Sequence, residues 1–328
     1  MSARSRDLLS AALIGAGIMG AGELYFACDA STNADGSYWK DWFDREKYFT
    51  GTNAIGTAHA SMGSGQNDVL FVGSAAGITQ TSSITWSNNL CHMVGMNPAW
   101  PGQRSHRSRI NASGATCYPL LTVSGYANMF ANVAINQGIA STLGISNVTV
   151  TGARNYFKNC HIALYDSSAA DVAEYGLVKL GDCSEVGFEG CYFGSDSVTM
   201  SSGTMLMYTS NTTIRALYTN CNWVMNAANA AVTFIHVKGG AGKGTSIFKN
   251  CLFINNSATA ITEGINSTGL VNTGHQFYFD AGCNFAGVTD ICSAGTEAYV
   301  LFGGAYYSTG NVENVYLGHM LAIDHTSG

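Results

Sequence analysis

The feature that most constrains this chain is a repeat. Four segments, "YFKNCHI" from Tyr156, "GFEGCYF" from Gly187, "LYTNCNW" from Leu217 and "IFKNCLF" from Ile247, place Cys160, Cys191, Cys221 and Cys251 at a nearly constant interval. Upstream, "MFANVAI" puts Val133 in the cysteine's position one slightly short interval before Cys160; downstream, "YFDAGCNF" puts Cys283 one slightly long interval after Cys251. A period of about 30 residues means units stacked on one another, because a single unit of that size cannot bury a core alone. Helical repeats would carry apolar residues at i, i+3, i+4 and i+7. These units instead carry short aromatic and β-branched runs broken by Asn and Gly, as in "SNVTV", "TTIRALY" and "TSIFKN", which read as strands joined by turns. Each coil therefore holds several short strands, stacked in parallel on the next.

Within "FKNCHI" the two-residue strand period places Phe157 inward, Asn159 at a bend, and Cys160 and Ile162 inward on the next strand, with Lys158 and His161 toward solvent. Asn132, Asn159, Asn220 and Asn250 recur one position before the column, with Gly190 and Gly282 as substitutes. Asn and Gly are the residues that adopt left-handed backbone geometry most readily, and stacked Asn amides can hydrogen-bond from coil to coil. The structural column Val133, Cys160, Cys191, Cys221, Cys251 and Cys283 then reads as small buried hydrophobes. Ten cysteines occur in all, with no C-x-x-C and no zinc spacing. Coils about 4.8 Å apart do not force sulfurs to bonding distance, so free thiols and folding in a reducing cytoplasm are expected.

Composition agrees with an all-β reading. Gly is abundant at 39, Pro scarce at 3, and charged residues make up 11%, against about 25% in ordinary soluble domains. A net charge of −6 gives no reason to expect nucleic acid, and no apolar run reaches the length of a membrane span. Arg4 and Arg6 precede an apolar run from Leu8 to Gly20. Its glycines favour an ordered or assembly-dependent arm over a secretory signal.

In this arrangement of repeats the chain resembles the right-handed parallel β-helix of the pectate-lyase-like type over roughly residues 22 to 295. The likeness begins at "LYFACDASTNADGS", continues through a candidate capping helix near "NAIGTAHASM", where Ile55, Ala58, His59 and Met62 share a face, and reaches the first coils at "NDVLFVGSAAGIT" and "ITWSNNLCHMVGM". Such an opening is similar to those of tailed-phage virion proteins. The resemblance implies an all-β fold, a single-stranded right-handed parallel β-helix of about eight coils built on the period already described. The domains expected are an N-terminal arm and capping helix at 1–63, the β-helix at 64–295, and a C-terminal tail at 296–328 for capping or subunit contacts.

Three motifs imitate other chemistry. Gly15, Gly17 and Gly20 spell G-x-G-x-x-G, but a strand and turn follow where a dinucleotide fold needs a helix. "GGAGKGTS", from Gly239 to Ser246, interrupts the Lys-Ser/Thr pair of a phosphate loop with Gly244. Asp29, Ser31, Asn33 and Asp35 have calcium-loop spacing, but Ala34 stands where Gly is needed and Lys40 where the bidentate Glu should be. A polar turn is the reading, with these four as the metal candidates; no cofactor is expected.

Seven acids lie between Asp166 and Asp196, of which Asp166, Glu174, Glu189 and Asp196 are the candidates for the paired carboxylates of glycan cleavage. Against that, Glu189 stacks near Lys158 of the adjacent coil, so a solvated, ion-paired face is favoured over catalysis. Arg104, Arg107 and Arg109, around His106, form a candidate docking loop. The resemblance together with these readings implies a non-enzymatic virion subunit, synthesised and folded in the host cytoplasm. It would decorate or stabilise a capsid, assembling with its own copies as a homotrimer and with phage capsid or tail proteins, without nucleic acid or membrane. The alternatives are a tail spike or fibre that binds host glycan, with or without cleaving it, and a free polysaccharide lyase or hydrolase.

Overall fold

A computed structural model describes residues 22–29, 47–73, 77–96, 108–137, 146–164, 175–209, 213–238, 244–266, 275–292, 300–303 and 305–306. Two large sheets build a parallel β-helix. The first is one column of strands: Leu24–Cys28, Asp68–Val72, Cys91–Gly95, Met129–Ala131, Asn155–Lys158, Glu185–Glu189, Ile214–Thr219, Gly244–Lys249, His275–Phe279 and Val300–Phe302 follow one another in parallel. The second sheet makes two further columns, joined through the long strand Arg109–Val123. Its first residues pair with Ala134–Asn136 and its last with Val148–Val150. From Met129 to Cys292 each coil therefore contributes three strands, whereas in the coils before Met129 one long strand, Ile78–Trp86 or Arg109–Val123, serves both further columns. No helix among the described residues is long and apolar enough to cross a membrane.

Phe130, Phe157, Phe188, Tyr218, Phe248 and Phe279 are register partners in the first column, one to a coil. The regular solenoid, with roughly 30 residues per turn, comprises about six turns. Nearer the N-terminus the coils are uneven. Phe71 pairs with Val94 across a coil shorter than the regular period, and Met93 with Phe130 across a longer one. The coils there carry connections of different length. The helix Ala54–Ser61 closes this end: Ala54, Ile55, Ala58 and His59 are buried, and the apolar three join Tyr25, Ala27 and Met62 in the main core.

The inward aromatics stack ring on ring. Phe130–Phe157 and Phe157–Phe188 lie 4.8 Å apart, Phe188–Tyr218 5.1 Å, Tyr218–Phe248 4.4 Å, Phe248–Phe279 4.6 Å and Phe279–Phe302 4.9 Å, all within 15° of parallel. The coil spacing imposes this distance, and like side chains in register fill the interior without voids.

At the bend after this column, Asn132, Asn159, Asn220 and Asn250 have φ between 50° and 56°, and Gly190 has 61°. This left-handed turn aims the bend N–H along the axis. Asn159 N donates to Glu189 O at 2.8 Å, Gly190 N to Thr219 O at 2.8 Å and Asn220 N to Lys249 O at 2.9 Å. The Asn250 amide donates to Asn220 Oδ1 at 2.8 Å. Gly282 differs from the expectation that it substitutes for a left-handed Asn. Cys283 follows Phe279 by one position more than Cys251 follows Phe248, so a tighter reversal replaces the left-handed bend. There the Asp280 carboxylate accepts Asn250 N at 2.9 Å and Gly282 N at 3.0 Å.

Beyond the bend, Val133, Cys160, Cys191, Cys221, Cys251 and Cys283 are all buried. Each thiol approaches a backbone carbonyl one coil back: Cys160 to Phe130 O at 3.3 Å, Cys191 to Phe157 O at 3.4 Å, Cys221 to Phe188 O at 3.5 Å and Cys283 to Phe248 O at 3.4 Å. A small side chain with a weak donor fits that place better than a purely apolar one. All ten cysteines are free and buried, and burial pushes the Cys191 thiol up, with Cys183 reaching about 12. A hydrophilic thiol reagent is therefore expected to label none of the ten before denaturant and all of them after it. Fast native labelling within the column would contradict this packing.

His161 is a second correction. Expected in solvent, it is only 4% exposed. Its Nε2 lies 3.2 Å from Gly194 O and its ring packs edge-on against Tyr192. The strand after Gly194, which has φ 87°, bulges out of register before Thr199 and supplies the carbonyl beside the imidazole.

Candidate functional site

The outward positions of the first column form a groove of about 490 Å³. Its floor is the row Tyr156, Gly187, Leu217 and Ile247, in register across four coils. Leu217 is 40% exposed, although it stands in the middle of a sheet. Gly187 has no side chain because the Tyr156 ring occupies that place: a Cβ there would come within 2.5 Å of Tyr156 Cδ2. The Tyr156 hydroxyl donates to Glu189. Burial first, and then that carboxylate, raise the pKa of the phenol.

Two charged rows flank the floor. On one side Glu185 sits between Arg154, at 3.0 Å, and Arg215, at 3.7 Å. Both guanidinium side chains remain largely exposed, so this trio adds little stability, on the order of 0.2–1 kcal/mol per pair. On the other side Lys158, Glu189, Thr219 and Lys249 are register partners. The ion pair expected between Lys158 and Glu189 is replaced by the tyrosine contact, which reaches the carboxylate from the neighbouring coil.

Of the candidate carboxylates, Glu189 ends the strand Glu185–Glu189 and accepts the Tyr156 hydroxyl. The other acid of that strand, Glu185, lies four residues away, about 13 Å along it at 3.3 Å per residue, beyond the roughly 5–9.5 Å of a glycosidase pair. Asp196 is exposed on the bulged strand Tyr192–Met200, past the bend from Glu189. Asp166 and Glu174 lie outside the described residues. So do Ser31, Asn33 and Asp35, Arg104 and Arg107, and the glycines at 15, 17, 20 and 239; Asp29 follows the strand Leu24–Cys28, and Arg109 opens the strand Arg109–Val123. Gly244 begins a strand, not a phosphate-loop helix. Among the described residues no group of three or more His, Cys, Asp or Glu is placed to hold a metal.

The groove residues Arg154, Tyr156, Glu185, Arg215, Leu217 and Ile247 were not singled out from sequence. Their signal is the first letter of each repeat, Y, G, L and I, immediately before the inward aromatic. Strand alternation sends that position outward.

No family model matches the chain, and no curated protein matches it. Among solved structures it is similar to a pectin methylesterase mutant in complex with a hexasaccharide. That likeness has a TM-score of 0.40 and 13% identity, covering 84% of this chain and 94% of the other. The class that the fold defines is the parallel β-helix solenoid.

Proposed function

We propose that this chain is a non-enzymatic structural subunit of a tailed-phage virion, decorating or stabilising the shell through contacts with its own copies and with other particle proteins. The observation that carries the reading is the outer face of the first column. In the centre of a sheet, Leu217 stands exposed in a row with the half-buried Tyr156 and Ile247, and the carboxylates beside it are engaged by Arg154, Arg215 and Tyr156. Such a face suits protein docking, where a desolvated apolar centre with a charged rim is the usual arrangement. The free, buried cysteines fit assembly in a reducing cytoplasm, and the virion assignment draws on the likeness of the chain's opening to virion proteins.

The test is to locate the protein on purified particles by electron microscopy and count its copies. Hundreds per particle are expected of a shell lattice, an order-of-magnitude figure from symmetric assembly. A few copies at the tail tip would move the assignment to a spike. Absence from particles, together with release of reducing ends from a host polysaccharide, would make it an enzyme.

A further inference from the structure

We infer that the groove of the first column is a self-association surface, on which a second copy of this chain seats antiparallel about a two-fold axis. The inference rests on the groove's own charge order and holds whether or not the protein is found on particles. Along the solenoid axis, one flank reads Arg154, Glu185, Arg215 and the other Lys158, Glu189, Thr219, Lys249, so both flanks alternate in sign between the coils of Tyr156 and Gly187.

An isologous contact requires that each surface be its own complement. Two face-to-face arrangements keep the strands aligned. A two-fold along the solenoid axis sets each coil against its own copy. Arg154 then faces Lys158 and Glu185 faces Glu189, like against like. A two-fold along the strand direction, passing between the coils of Tyr156 and Gly187, exchanges those coils instead. Arg154 then faces the second copy's Glu185, and Lys158 the second copy's Glu189, each pair occurring twice.

The same operation disposes of the apolar row. The two Tyr156 rings, each lying over its own Gly187, meet at the axis. Leu217 comes opposite Met129, the partly buried residue that continues the row one coil toward the N-terminus. No residue of the floor then remains opposite a charge, and the exposure of Leu217 is explained. The flanking pairs set the register and direction, while the floor supplies the attraction.

The test is sedimentation velocity on the full chain from 1 to 100 µM. A species of twice the 34.5 kDa chain mass is expected, weakening as salt rises. Leu217→Glu, at an exposed position, should abolish it while leaving the melting temperature of the fold unchanged. Arg154→Glu should raise the dissociation constant at least tenfold, and the exchange Arg154→Glu with Glu185→Arg should restore it to within about threefold, since both signs are then reversed together. A wild-type chain monomeric at 100 µM, a trimer, or a dimer indifferent to Leu217→Glu would each overturn the inference.

Discussion

Replacing Phe188 by alanine is expected to destabilise the solenoid by about 3–5 kcal/mol, the range for removing a fully buried aromatic. Phe188 is 1% exposed. It lies in the middle of the ring column, stacked on Phe157 at 4.8 Å and Tyr218 at 5.1 Å, with Phe193 edge-on at 5.5 Å. Its loss removes three aromatic contacts, each worth about 0.5–1.5 kcal/mol beyond area burial, and leaves a void that rigid coils on both sides cannot collapse into. Because a solenoid is held by nearest-neighbour interfaces, the damage falls on the coupling between the coils before and after it. Denaturant unfolding should therefore lose cooperativity as well as midpoint. Phe302→Ala, where the described stack ends, removes the stacking on Phe279 and should cost visibly less. Equal losses at both positions, or a Phe188→Ala change below about 1 kcal/mol, would mean that the rings do not act as a continuous column.

The stack and the bend were legible in the sequence because each depends on one residue type recurring at one register position. The inward aromatic, the Asn and the cysteine are local requirements of the coil, so the period exposes them. Legibility stopped where one coil answers to another. Gly282 looks like its counterpart Gly190, but the single extra residue before Cys283 changes the turn, and spacing counted between cysteines hides where the insertion sits. His161 alternates outward by strand period, yet the bulge after Gly194, one coil further on, buries it. The groove was missed for a related reason. Tyr156, Gly187, Leu217 and Ile247 share no residue type, and only knowing that the column is continuous turns four dissimilar residues into one surface. The isolated acids drew attention as chemistry, but their partners Tyr156, Arg154 and Arg215 are neighbours through register.

Acidification through the window from about pH 6.5 to 4 is expected to unfold the N-terminal coils first, through His59 and His92. Burial pushes both imidazoles down to about 4, with Asp68 opposing the shift at His92. Their hydrogen bonds have the same sense. Met129 N donates to His92 Nδ1 at 3.1 Å, and Asn88 N donates to His59 Nε2 at 3.4 Å, so each ring accepts through a nitrogen that a proton would convert to a donor. The folded state thus refuses protons that the unfolded chain takes up below its ordinary histidine pKa near 6.5. Stability is complete above that value, falls as the pH drops toward 4, and changes no further from these groups below it. A depression of this size corresponds to roughly 2–3 kcal/mol per histidine at pH 4. The His59 ring packs against Trp86, centroids 4.2 Å apart, so tryptophan fluorescence reports the event locally. Urea unfolding at pH 7, 5.5 and 4.5 should show the loss in the wild type, and a His59→Gln, His92→Gln double variant should flatten it, because Gln can still accept the backbone N–H without titrating. A pH dependence that the double variant leaves intact would assign the acid sensitivity to the carboxylates instead.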